Sequence, residues 1–140
     1  MILPDVNVLL HAANSAVPQH AVAHEALTQA YRDGAVALAW PALLGFLRLS
    51  TRPGILAQPL PVEAAMGVVQ RWIDHPAAQL IHPTPRHAGV LARLLLAAGR
   101  GGPLVSDAHL AALAIEHGAV LLTFDRDFER FAGLRLRHLA

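Results

Sequence analysis

Short apolar runs alternate with longer stretches in which apolar residues recur every three or four positions, and this alternation organises the whole chain. Ile2-Leu3-Pro4 is a strand-sized apolar run that ends at Asp5, and Val6 to Ala13 then carries apolar residues spaced for a buried helix. His20 to Arg32, with small or apolar residues at Ala21, Ala23, Ala26, Leu27 and Ala30, predicts a second helix stopped by Asp33-Gly34. Ala35 to Trp40 suits a buried strand. Pro41, tolerated in a first helical turn where its missing N–H has no partner to lose, then opens a helix over Ala42 to Ser50. After the Arg52-Pro53-Gly54 break, Pro61 starts a helix that runs to about His75. Gln79 to His82 predicts a strand, Arg86 to Ala98 a helix closed by Gly99, and Leu104-Val105 a strand-like pair that delivers Asp107. Asp107 to His117 predicts a helix ended by Gly118. Ala119 to Phe124 predicts a buried strand running into Asp125, and Phe128 to Phe131 a last helix.

Short apolar strands alternating with helices of about 10 to 14 residues predict an α/β fold, a mostly parallel central sheet flanked by helices. The 140 residues suit a single domain, 1–140. With 54% hydrophobic and 15% charged residues the chain has enough apolar surface for a core and no composition for disorder. No uncharged run approaches the roughly 20 residues that span a bilayer, and Met1 is not followed by a basic and then apolar leader, so a cytoplasmic location is expected. The absence of cysteine excludes disulfides, thiolate metal sites and cysteine nucleophiles. All 11 basic residues are arginine, which excludes a P-loop lysine, a Schiff-base lysine and the lysine of phospho-receiver domains. The net charge of +1 permits nucleic-acid binding without indicating it, although arginines recur at Arg126, Arg130, Arg135 and Arg137.

The informative pattern is where the carboxylates fall. Asp5, Asp107 and Asp125 each follow a predicted strand, and in open α/β sheets the functional crevice lies outside the carboxyl ends of the strands. Carboxylates gathered there repel one another unless a hard divalent cation such as Mg²⁺ or Mn²⁺ binds, and such a cation supplies the chemistry of phosphodiester hydrolysis. Each of these acids is equally readable as a helix cap, and Asp127 as a turn residue or a helper in the site. Asn7 and Ser106 stand beside the acids, either to orient them or to start helices; Glu116 and Glu129 are expected to face solvent. His20 and His24, one helical turn apart, lack the partners of a zinc site.

The segments Met1-Ile-Leu-Pro-Asp-Val-Asn-Val-Leu-Leu10, Trp40-Pro-Ala-Leu-Leu-Gly-Phe-Leu-Arg48, Leu104 to Gly118 and Thr123-Phe-Asp-Arg-Asp-Phe128 together resemble the PIN-domain VapC toxins of bacterial toxin–antitoxin pairs. The resemblance implies a PIN fold and an endoribonuclease that cuts RNA with Mg²⁺ or Mn²⁺, silenced by a VapB-type antitoxin. It implies Asp5 and Asp107 as metal-binding acids, Asp125 as a further active-site acid and Asp127 as a helper. Family members commonly carry a glutamate near the start of the helix after the second strand; here Trp40 to Leu47 holds no acid and Gly45 takes that position. The alternative is a weak or inactive PIN-fold module that only binds RNA or protein. A mean hydropathy of +0.41 further predicts an apolar surface shared by a homodimer and the antitoxin, placed at Leu9, Leu10, His20 to Ala30 and Trp40 to Phe46.

Overall fold

The computed structural model describes residues 1–140. Five strands form one sheet in the order β3-β2-β1-β4-β5, with β1 at Ile2–Pro4, β2 at Val36–Leu38, β3 at Ala78–Leu80, β4 at Val120–Thr123 and β5 at Arg135–His138. Every neighbouring pair is parallel. Parallel neighbours need crossover connections, and those crossovers carry the helices to both faces of the sheet.

Strand residues alternate between the two faces, as a period of two requires. Leu3, Ala37 and Leu121 point into one core with α5 (His87–Ala98) and α6 (Leu104–His117). Val36 and Leu38 point the other way. There they meet Leu9 of α1 (Val6–Ala12), Leu27 of α2 (His20–Arg32), Phe46 of α3 (Trp40–Thr51) and Val69 of α4 (Val62–Asp74). Phe46 and Trp72 close that second core edge to face at 4.8 Å.

The chain works outward from β1 through β2 to β3, then returns to the other side of β1 for β4 and β5. The strand order therefore reverses between β1 and β4, and the loops leaving these two strands part to opposite faces. Asp5 follows β1 directly, and Asp125 lies two residues beyond Thr123, the last residue of β4.

Several expectations need correction. Leu104-Val105 is not a strand: Pro103 starts the turn, the amides of Leu104 and Val105 bond the carbonyls of Gly101 and Gly102, and the helix begins at Leu104. Asp107 consequently sits in the first turn of α6 rather than after a strand. Trp40 belongs to α3 and not to the second strand. The last helix is a 3₁₀ turn at Arg126–Arg130, not a helix from Phe128 to Phe131. β5 was not expected, because its arginines mask the alternation that places Leu136 against the α5–α6 core. Leu9 and Leu10 are buried and offer no surface to a partner. Glu116, expected to face solvent, is buried, because its carboxylate finds hydrogen-bond donors inside the fold. No helix is long and apolar enough to cross a membrane.

Candidate active site

Asp5 is fixed from two sides. One oxygen accepts from the Val6 amide at 2.7 Å and so caps α1; the other accepts from the Thr123 hydroxyl at 2.7 Å. Thr123 is itself fully buried and joins the ends of the two strands: its oxygen also accepts from the Asp125 amide at 3.0 Å and from the Asn7 side chain at 3.4 Å. Asn7 returns to the β4 end through the Phe124 amide, which donates to its oxygen at 3.3 Å. One hydroxyl thus sets the positions of Asp5, Asn7 and the Asp125 backbone together. The Asp125 carboxylate caps the 3₁₀ turn by accepting from the Asp127 amide at 2.8 Å. The cap and site readings of Asp5 and Asp125 do not compete, since each cap occupies a single carboxylate oxygen.

A cleft of about 670 Å³ opens beside these loops, lined by Asp5, Gly45, Arg48, Ser106, Asp107 and His109 among others. Asp5 enters from the β1 end and Asp107 from the first turn of α6. Asp125 and Asp127 stand outside the lining but within electrostatic reach. Burial, then the charges of Asp5, Asp125 and Asp127, push the Asp107 carboxyl up to about 6, with Arg130 opposing. Asp5 is raised chiefly by burial and less by Asp125, against the hydrogen bonds from Thr123, Val6 and Asn7. The four acids therefore feel one another. No three carboxylate or histidine side chains close on a single point, however, so the protein groups alone do not enclose an ion. Asp127 is exposed and faces Arg130 at 3.8 Å. Arg48 makes no ion pair and lines the same cleft as Asp5 and Asp107.

The sequence model of the PIN domain family matches residues 2–134 of this chain. The chain belongs to the PIN domain family. Its relatives include ribonuclease VapC37 of Mycobacterium tuberculosis, 47% identical over 137 residues that cover 96% of this chain and 94% of that protein. Ribonuclease VapC33 of the same organism is 41% identical, covering 96% and 95%. Among solved structures, VapBC2 from Rickettsia felis bound to a promoter DNA fragment superposes with a TM-score of 0.73 at 18% identity, over 100% of both chains. The M. tuberculosis toxin VapC20, described as cleaving the sarcin-ricin loop, gives 0.67 at 17% identity over 96% of this chain and 99% of that one.

In this PIN domain, α3 presents Pro41, Ala42, Leu44, Gly45 and Arg48 to the cleft and no acid. Gly45 is there for lack of room: a Cβ at that position would lie 2.6 Å from Cγ2 of Val6 and 3.1 Å from Cγ1. Valine is stiff about χ1, so the clash is not relieved by a rotamer change. Gly45→Glu is expected to destabilise the fold by about 1 to 3 kcal/mol, the cost of overpacking. Adding Val6→Ala should recover most of the loss; urea denaturation of both variants checks this, and an unchanged midpoint for Gly45→Glu alone refutes the steric account. Thr123, Arg48 and His109 were not identified as site residues from sequence. Thr123 carried a readable signal in its position two residues before Asp125. Arg48 and His109 carried none, because helix faces are assigned only once the packing is known. Ser106 lines the cleft without a hydrogen-bond partner, whereas Asn7 does orient the strand ends.

Proposed function

We propose that this chain is a metal-dependent endoribonuclease and the toxin of a toxin–antitoxin pair, the reading in which its relatives' names, VapC ribonucleases, apply to it. The observation that carries the proposal is the gathering of acids around one cleft, where Asp107 is held near a pKa of 6 by burial and by three other carboxylates. A cluster that resists its own ionisation is stabilised by a hard cation, and an all-oxygen donor set with no thiolate suits Mg²⁺, with Mn²⁺ as a substitute.

In this reading Asp5 and Asp107 hold the metal, Asp125 acts as a further active-site acid, and Asp127 as an outer helper. When bound, the ion activates water and offsets the charge that develops on the phosphodiester. The chain's own groups do the rest. The hydrogen bonds from Val6 and Thr123 hold Asp5 in one orientation, so no rotamer search precedes binding. The unpaired Arg48 supplies a guanidinium that grips a phosphate of the RNA in a cleft otherwise hostile to anions. The exposed Leu44 and Val105 give apolar surface in the cleft lining, and the exposed Trp40 at the start of α3 adds to it, for a VapB-type antitoxin and for a homodimer. The location proposed is the cytoplasm, in one domain covering 1–140.

The purified chain is expected to cleave RNA in Mg²⁺, to stop in EDTA, and to recover on addition of excess Mg²⁺ or Mn²⁺. Cleavage that ignores EDTA would refute the metal role. A non-catalytic binding module would instead retain labelled RNA on a filter and leave it uncut.

A further inference from the structure

Glu116 is the one acid whose burial the nuclease chemistry does not use. Its side chain is 0% exposed. One oxygen accepts from both the amide of Thr84, at 2.9 Å, and its hydroxyl, at 2.6 Å. The other accepts from Nδ1 of His87 at 2.5 Å. Burial raises the Glu116 carboxyl, but the bonds from Thr84 and His87 outweigh it and hold it below the ordinary range, so it is an anion that accepts every bond it makes. The chain of contacts then continues. Nε2 of His87 meets Nδ1 of His109 at 2.9 Å with the rings nearly perpendicular, and His109 lines the cleft beside Asp107. Fastening the Thr84 turn to α6 needs only the first oxygen. The second oxygen and the two rings lead away from that turn and into the site.

When each ring carries a single proton, the direction of the relay follows from Glu116, which only accepts. Glu116 accepts a hydrogen bond from the Nδ1–H of His87, which leaves Nε2 of His87 as a lone pair. That lone pair takes the Nδ1 proton of His109, which leaves Nε2 of His109 as an acceptor with no partner in the protein. A fixed acceptor in a phosphate-binding cleft cannot serve a phosphate oxygen, which also only accepts. It can serve a hydroxyl. We infer that His109, held by His87 and Glu116, accepts a hydrogen bond from a ribose 2′-hydroxyl of the substrate and so discriminates RNA from DNA. Hydrolysis by metal-activated water does not itself use the 2′-hydroxyl, so the preference for RNA must come from a contact of this kind. His109 is in this account a specificity residue, and His87 and Glu116 are positioning residues. The inference rests on the nuclease reading above.

The test uses a labelled RNA oligonucleotide that the wild type cuts, and copies of it with a single 2′-deoxy substitution walked along both sides of the cut. Wild type should lose about tenfold in kcat/KM at one position, the worth of one hydrogen bond. His109→Asn keeps a donor toward His87 and removes the cleft nitrogen. It should be slower by a similar factor on the all-ribose strand and lose nothing further at that position. Glu116→Gln, which unseats the relay, should lower the same deoxy penalty. Nitrogen-15 spectra of the histidine rings in metal-free protein should place the His109 proton on Nδ1. A wild type indifferent to every deoxy substitution, a His109→Asn that keeps the full penalty, or a proton on Nε2 overturns the inference while leaving the nuclease reading intact. A wild type that cuts no RNA in Mg²⁺ overturns the nuclease reading, and this inference with it.

Discussion

Asp107→Asn is expected to abolish RNA cleavage while stabilising the metal-free protein at pH 7. The two effects share one cause. Asp107 lines the cleft with Asp5, and burial together with Asp5, Asp125 and Asp127 raises its carboxyl from 3.8 to about 6, Arg130 only partly compensating. The folded state therefore binds this proton more tightly than the unfolded chain does. The stability tied to it is complete below pH 3.8 and is lost as pH rises through about 6. Asparagine mimics the protonated form at every pH. In EDTA the variant and the wild type should unfold at similar urea concentrations near pH 4, and the variant should lead by about 1 kcal/mol at pH 7, a value reduced for the solvent that reaches this partly open side chain. Cleavage should fall by more than the roughly 10- to 100-fold that loss of a supporting residue costs a metal site. A gap independent of pH would show that Asp107 is not electrostatically strained, and wild-type cleavage by the variant would remove it from the metal site.

Asp5→Ala should abolish cleavage as completely but move stability the other way. The substitution removes the cap on the Val6 amide and takes away the acceptor of a fully buried hydroxyl, Thr123. A lost cap costs about 1 kcal/mol, and a buried donor left without a partner about 1 to 3 kcal/mol. Relief of the buried carboxylate offsets part of this, leaving an expected net loss of about 2 kcal/mol. Asp5→Asn keeps an acceptor and should lose less. Thermal melts of the two variants beside Asp107→Asn provide the comparison; an Asp5→Ala that melts above the wild type would mean that Thr123 is satisfied without it.

The residues show why some of this was legible in sequence and some was not. Asp5 and Asp125 were readable at strand ends because Ile2–Pro4 and Val120–Thr123 are short, apolar and cleanly terminated. Asp107 reaches that edge of the sheet from the first turn of α6, although the two apolar residues before it read as strand in sequence. The deciding signal is Pro103, which stands at the helix start while the amides of Leu104 and Val105 close turns onto Gly101 and Gly102. β5 escaped notice because an edge strand with Arg135 and Arg137 on its outer face shows charge where a central strand shows valine. Glu116 was assigned to solvent on residue type alone. Three donors from Thr84 and His87 reverse that assignment, and those donors lie about 30 residues away in sequence, beyond any local pattern.

The contact between Gly45 and Val6 also bears on how this cleft can change over generations. A glutamate at position 45 meets a wall until Val6 shrinks, and a smaller residue at position 6 brings nothing while position 45 is still glycine. Neither step taken first brings a gain, so the two positions are locked as a pair on the route to a third carboxylate in the cleft lining. Descendants of this chain are more readily tuned through Arg48, which borders the same cleft with no such partner to move first.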